Sequence, residues 1–544
     1  MPVNRYAVQN HVTEWGYQSS HVYEDPFNQI EMDVVFCDEA SNEWRVPAYW
    51  AGDNEWRVRF CPPHPGVYHY RTVCTNEADS GLHGVTGVLW VAEYQGEHPL
   101  YKHGRLRVSG DRRRFVHEDG TPFFWLGDTC WFLLSSRLQW PDEYQLYIQD
   151  RQTKGFTVMQ LVAGLYPDGD SFDVRGVNEA GFPWEQGYRT INPAYFDAAD
   201  VRIQWLVKSG MVPCIFGCWG FLLLKMGMEK MKRHWRYLVA RYGAYPVTWS
   251  LAGEATMPYY LSETPDTDSQ ALKTGWTEVG RYVRSIDPFH NPITIHAPHY
   301  SGSRAQVVDE SVLDYDMPQP GHGTNEHAPH TAKLISELIN TEPHMPVVNG
   351  EVLYEANFDS AYGGIQRYAF WTTMLMGGAG HTYGANGLFQ LNRPGDPFGP
   401  SPHGMQWGDI PWTVAYRFQG STDVGIGKSI LERYRWWDFV PHPEWIEPHA
   451  GERGYNLPYA AGIQGEVRMF YLPGPIHPWC SRPVLKRLDR SRKYRVFWVD
   501  TTTGVDTPID DVRIDADGDW QMPLPPVMRD WILVIEEDDR HGST

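Results

Sequence analysis

Between residues 123 and 386 eight short apolar segments recur, each followed by polar turns and helical spacing, which confines the chain to a few α/β architectures. The segments are FFWLGDTCW (123–131), FTVMQLVA (156–163), MVPCIFGCW (211–219), VTWSLAGE (247–254), PITIHAP from 292, LDYDMPQPGH from 313, PVVNGEVLYE from 346 and GAGHTYGAN from 378. The clearest intervening helix has Asn192 as cap and Pro193 at its first position. It carries Phe196, Ala199, Ile203, Leu206 and Val207 on one face and stops at Gly210. The next places Met231, Trp235, Leu238 and Tyr242 at helical spacing before Gly243. Eight such units in roughly 310 residues match the count and length of a (β/α)8 barrel.

The flanks carry a different pattern. Residues 1–96 alternate apolar and polar positions in short runs such as QIEMDVVF, NEWRVRF and GVYHYRTV, divided by turn clusters AGDN and PPHPG. This predicts a small N-terminal antiparallel β-sandwich, with 97–112 as a basic, turn-rich linker and 113–433 as the barrel. From about Tyr434 strand-like runs return in KYRVFWVD, DDVRIDA and DWILVIEE, and 434–544 reads as a second β-sandwich. The expected fold is multidomain α/β: a central TIM barrel between two β-sandwiches.

Charge and composition narrow the partners. With 47 Lys plus Arg against 67 Asp plus Glu the net charge is −20, which disfavours nucleic acid and anionic membranes. No apolar run approaches the ~18 residues of a membrane span, and the N-terminus has no apolar signal core. Seven Cys, at 37, 61, 74, 130, 214, 218 and 480, form no CxxC or CxxH pair. They read as free thiols, so a cytoplasmic location is expected. The 24 Trp and 31 Tyr suit either sugar stacking or sandwich packing. The two sandwiches could bind glycan, wall the cleft or form a subunit interface, which leaves a homo-oligomer open.

In a barrel of this kind the reactive side chains stand at the C-terminal ends of the strands. The polar residues there are Asp128, Trp219, Glu254, His296 with His299, Gln319 with His322, Glu351 with Glu355, and His381 with Tyr383. Glu254 ends the fourth strand and Glu351 the seventh, so the two face each other across the barrel mouth. Glycosidic cleavage needs one carboxyl to protonate the leaving oxygen and another to attack the anomeric carbon or activate water, and this pair suffices. No cofactor or metal is required. HAPH at 296–299, His322 and His381 would be the imidazole ligands of a competing metal-dependent hydrolase, but the first strand ends in GDTCW without paired histidines.

GDTCW, RYGAYPVTWSLAGE, LDYDMPQPGHG, MPVVNGEVLYE and GAGHTYGANGLFQ together resemble the strand-end motifs of the apiosidase-like (β/α)8 glycoside hydrolases. The resemblance spans nearly the whole chain, since such proteins often carry an immunoglobulin-like module before the barrel and a β-sandwich after it. It implies retaining hydrolysis by double displacement, with Glu254 as general acid/base and Glu351 as nucleophile. The implied substrate is carbohydrate, a small plant- or microbe-derived oligosaccharide or glycoside attacked from its end. One departure stands out: the family tends to have Gly-Gly-Asp where this chain has Ala252, Gly253 and Glu254. Gly253 also replaces the Asn that precedes the acid/base in many related barrels, so the hydrogen bond to a sugar 2-hydroxyl must come from elsewhere.

The acid/base has to be held protonated near neutral pH by burial or by its neighbour, whereas the nucleophile must stay ionised. Trp249, Trp219 and Tyr259 are candidates for the apolar surroundings of Glu254, and Tyr354 and Tyr383 for hydrogen bonds to Glu351. Asp128, Trp131, Trp219, His299, Gln319, His322, Tyr354, His381 and Tyr383 form the expected substrate-binding set, with Glu355 behind Glu351. A non-catalytic carbohydrate-binding protein is the rival reading from another class, but it gives no reason for two facing carboxylates.

Overall fold

A computed structural model of the chain describes residues 3–321, 324–451, 454–474 and 482–537. The expected sixth-segment residue His322 and Cys480 lie outside the described residues. Seven parallel strands form one sheet: Trp125–Thr129, Val158–Val162, Val212–Phe216, Thr248–Ser250, Ile293–Thr294, Val348–Asn349 and Gly380–Tyr383. They occupy positions one to five, seven and eight of the eight expected, with the eighth beside the first.

The sixth segment makes no regular strand. Its backbone nevertheless bonds to both neighbours, from Asp314 N to Ile293 O (2.7 Å) on one side and from Asp316 N to Pro346 O and Val348 N to Asp316 O (2.9 Å each) on the other. The segment therefore bridges the two edge strands of the sheet. Pro318 and Pro320 explain the irregularity, because neither supplies the N–H that a continuing ladder needs.

Helices cover the sheet as the spacing predicted. Pro193–Lys208 begins after Asn192 and buries Tyr195, Phe196, Ala199, Ile203, Leu206 and Val207. Asn192 makes no side-chain cap; its amide donates instead to the carbonyls of Ala180 and Phe182 (2.9 Å each). Met228–Tyr242 buries Met231, Trp235, Leu238 and Tyr242. Among the described residues no helix is long and apolar enough to cross a membrane.

In the N-terminal region a five-stranded and a three-stranded sheet bury one shared core of Trp15, Met32, Phe36, Trp56, Phe60 and Leu89. Pairing there is antiparallel except for Val3–Val8, which runs parallel to Thr86–Ala92. Arg59 ties this region to the barrel. Its guanidinium, 3% exposed, pairs with Asp200 and Glu14 and donates to Arg241 O (2.7 Å). Although burial works in the opposite direction, Arg59 and Arg241 hold the Asp200 carboxyl below the usual carboxylate range.

The stretch expected to be a linker carries a helix, Pro99–Lys102, and a strand, Leu106–Val108, which pairs with Phe115–His117. Phe115 packs on Trp125 and Tyr315 (5.2 Å each) at the N-terminal end of the barrel strands. At the C-terminus a six-stranded sheet is buried on both faces. One face shares a core with a three-stranded sheet through Phe470, Leu472, Trp498 and Leu533; the other packs on the barrel through Met469, Tyr471, Phe497 and Val534. Every residue of Val467–Leu472 is buried for this reason, which gives a continuous rather than alternating apolar run. Arg367 fastens the join with hydrogen bonds from Nε and Nη2 to the two oxygens of Asp530 (2.8 and 2.6 Å).

Candidate active site

Hydrogen bonds beyond the short fourth strand fix the position of Glu254. Gly253 N donates to Cys218 O (2.9 Å), Gly220 N to Gly253 O (2.8 Å), and His296 N to Ala252 O (3.0 Å), so the Ala252–Glu254 turn is held from both flanking strands. Glu254 itself adopts a left-handed backbone at φ 41°. A side chain in that region is strained and persists only where its surroundings impose it, as here.

Both glutamates follow a glycine, for the same steric reason. A Cβ at Gly253 would lie 2.2 Å from the Trp219 ring, and one at Gly350 would lie 2.1 Å from Met317 Cγ. The Asn expected from related barrels is therefore excluded at 253 because the Trp219 indole occupies its space.

Glu254 and Glu351 line one pocket of about 180 Å³ with Trp131, Trp219, Tyr354 and Phe389. His296, fully buried on the fifth strand's extension, touches the Glu254 backbone and the Glu351 carboxylate. Its Nδ1 accepts the Glu254 backbone N–H (3.4 Å), which leaves the ring proton on Nε2, 2.9 Å from Glu351 Oε2. His296 was legible in the sequence only as half of HAPH, where a ligand, a hydroxyl partner and a structural residue look alike. Tyr354 also hydrogen-bonds to Glu351; burial, then that carboxylate, drives its phenol well above the usual range. Trp131 meets the Trp219 ring edge-on (5.5 Å) and His296 (5.8 Å), so the pocket floor is aromatic.

Several expected residues are elsewhere. Asp128 is fully buried in the layer between sheet and helices. There it pairs with Arg151, accepts from Tyr147 Oη (2.6 Å) and accepts the Thr129 N–H (2.8 Å). The structure thus places it in an ion pair outside the pocket lining, away from the expected sugar-binding set. Tyr383 points the same way: its hydroxyl donates to Glu355 (2.6 Å), and Arg151 lies over its ring (5.7 Å). Glu355, whose carboxyl burial raises, also accepts the Gly420 N–H (3.1 Å) and supports the helix layer. Gln319 is buried outside the pocket lining, where its backbone pairs with Ser301. Of the residues proposed around Glu254, Trp249 is sealed in the core, bonded to Asp287 (2.9 Å), and Tyr259 packs on Phe221 (5.3 Å). His299 does line the pocket, at its exposed rim.

His381 faces the helix layer too, edge-on to Phe370 (5.6 Å), and neither ring nitrogen has a hydrogen-bond partner among the described residues. Burial pushes its imidazole down to about 3, against 6.5 for a free histidine. The folded state thus favours the neutral ring. This contribution is complete above pH 6.5 and is lost as pH falls from 6.5 towards 3, at about 1.4 kcal/mol per pH unit. His381→Phe should therefore gain about 2 kcal/mol relative to the wild type between pH 7.5 and 5.0, seen as a widening Tm gap. An unchanged gap would contradict the assignment.

Other pocket residues, Asp168, Tyr260 and His403 among them, come from loops that strand-end reading passed over. Asp168 follows the second strand, while Tyr260 and His403 stack on each other (5.0 Å, 20°) across the mouth. The segment after the eighth strand is fastened over the pocket. Arg175 donates to Phe398 O and Pro400 O (3.0 and 2.9 Å), Arg393 pairs with Glu143 (2.9 Å), and Asn392 donates to Gly408 O (3.1 Å). A larger cavity, about 810 Å³, lies at the opposite end of the barrel between Trp436, Phe439, Tyr455 and Arg113, and neither glutamate reaches it. Among the described residues no group of three or more His, Cys, Asp or Glu is arranged as a metal site.

The apiosidase-like catalytic-domain family model matches residues 109–438, more than half of the chain. The chain belongs to this family. A model for a domain of unknown function, DUF5060, matches residues 7–75 in the N-terminal region. Similar solved structures include a glycoside hydrolase at 22% identity, covering 82% of this chain and all of the other, with TM-score 0.65. A glycoside hydrolase family 5 protein from Bacteroides vulgatus is 21% identical over 82% of this chain and 97% of its own, with TM-score 0.66. A further Bacteroides vulgatus structure covers 98% of this chain and all of its own at 17% identity and TM-score 0.68, so the flanking regions share that architecture as well. At these identities the likeness is one of fold. No curated protein matches the chain.

Proposed function

We propose that this apiosidase-like protein is a retaining, exo-acting glycoside hydrolase in which Glu351 is the nucleophile and Glu254 the general acid/base. The observation that carries this reading is two glutamates, from positions four and seven of the barrel, lining one small aromatic-floored pocket. The proposed reaction is double displacement. The Glu351 carboxylate attacks the anomeric carbon while Glu254 gives its proton to the leaving oxygen; Glu254 then takes a proton from water, which displaces Glu351 and restores both groups. The Tyr354 hydroxyl bonds to Glu351, and His296 Nε2 lies 2.9 Å from its Oε2. They suit an anion before attack and stabilise the carboxylate as it departs.

Pocket size supports action at a chain end. About 180 Å³ lies below the ~300–1,000 Å³ of sites for drug-sized ligands, which fits one sugar ring better than a run of them. The fastened loop after the eighth strand closes the far side. A panel of aryl pentosides and hexosides should yield turnover on at least one member, with only the terminal sugar released from a matching oligosaccharide. Failure of the whole panel would overturn the glycosidase reading.

A further inference from the structure

We propose that Asp168 makes this pocket selective for an uncharged sugar ring, its carboxylate accepting hydrogen bonds from ring hydroxyls and repelling a sugar carboxylate. The inference rests on the glycosidase reading and extends it to substrate class.

Asp168 lines the same pocket as Glu254 and Glu351 and is only 8% exposed. Its backbone is left-handed at φ 56°, a conformation that a side chain keeps only when held there. The holding groups are all present. Asp168 N–H donates to the Tyr260 hydroxyl (2.8 Å), Gln390 Nε2 donates to Asp168 Oδ2 (3.0 Å), and Arg175 donates to its carbonyl (2.9 Å). Arg175 also fastens the loop after the eighth strand, so Asp168 is set at the junction of two pocket loops. Such a position makes a side chain a fixed reference for a ligand.

Its chemistry then decides what it reads. A carboxylate only accepts, with about four lone-pair directions, so it suits ring hydroxyls as donors beside the bonds it takes from Gln390 Nε2 and the Tyr260 hydroxyl (3.0 and 3.4 Å). Gly253 has no side chain to offer and is covered by Trp219, which leaves hydroxyl recognition to other walls. Tyr354 is engaged with Glu351, and His299 and His403 are exposed at the rim. Asp168 is thus the buried acidic acceptor besides the two glutamates. No Lys or Arg is among the described residues lining the pocket, so the Glu351 and Asp168 carboxylates, beside the Glu254 acid, meet an incoming ligand without a compensating cation. A uronic acid entering this space would meet like charges at short range.

The test compares wild type, Asp168→Asn and Asp168→Ala on three substrates: the aryl hexoside accepted by the wild type, its monodeoxy analogues, and the matching aryl hexuronide. For the wild type, kcat/KM should fall about 10- to 100-fold on at least one monodeoxy analogue, and the hexuronide should be a poorer substrate still. Asp168→Asn should lose about 10- to 100-fold on the parent hexoside, little on that one analogue, and part of its discrimination against the hexuronide. Equal loss across all analogues would mean a purely structural role and overturn the proposal, as would wild-type hydrolysis of the hexuronide on a par with the hexoside. The wild-type comparison decides even if neither variant folds. A wild type inert towards every glycoside would instead remove the glycosidase reading itself.

Discussion

Replacing Glu351 by Gln is expected to lower kcat/KM on an activated aryl glycoside by about 10⁴-fold or more while leaving the fold intact. The amide fills the same volume and still accepts from Tyr354 or His296, but it has no charge with which to form the glycosyl bond. The deeper cut Glu351→Ala opens space beside His296, and added azide should then restore turnover as a glycosyl azide. An azide of inverted anomeric configuration is expected if the missing group was the nucleophile, whereas loss of the acid/base would give the retained one; an ordinary rate in Glu351→Gln would rule out the role.

Replacement of Glu254 by Ala should give a loss that depends on the leaving group. A poor leaving group needs the proton, so its kcat/KM should fall by about 10²- to 10⁴-fold. A dinitrophenolate leaves without help, so its kcat/KM should hardly change, while removal of the sugar from Glu351 becomes slow and an initial burst of phenol appears. The high-pH limb of the wild-type profile for the poor leaving group should vanish with the acid. Equal losses on both leaving groups would assign Glu254 to binding rather than proton transfer.

The barrel strands were readable because each is a short, β-rich apolar run buried on both faces, and position in the chain then placed Glu254 and Glu351 together. The sixth segment was readable as a position but not as a strand, because its two prolines interrupt the ladder. Less accessible was the face on which a strand-end residue emerges. Along Trp125–Thr129 and Gly380–Tyr383 direction alternates by residue: Thr129 and Thr382 turn inward to Gln160 (3.3 and 3.1 Å), so their neighbours Asp128, His381 and Tyr383 turn outward to Arg151, Phe370 and Glu355. The parity of the strand would have separated these groups; residue type alone did not. Asp168 escaped attention because it lies several residues past its strand, in a loop whose path depends on Arg175, Tyr260 and Gln390.

The most direct measurement is the identity of the residue that becomes glycosylated. Incubation with a 2-deoxy-2-fluoro aryl glycoside of the accepted sugar slows removal of the glycosyl group, so the intermediate accumulates and the labelled peptide is read by mass spectrometry. One fluorosugar per chain, on Glu351, is expected in the wild type. A label on any other residue, or no label despite normal hydrolysis of the parent glycoside, would contradict double displacement through Glu351.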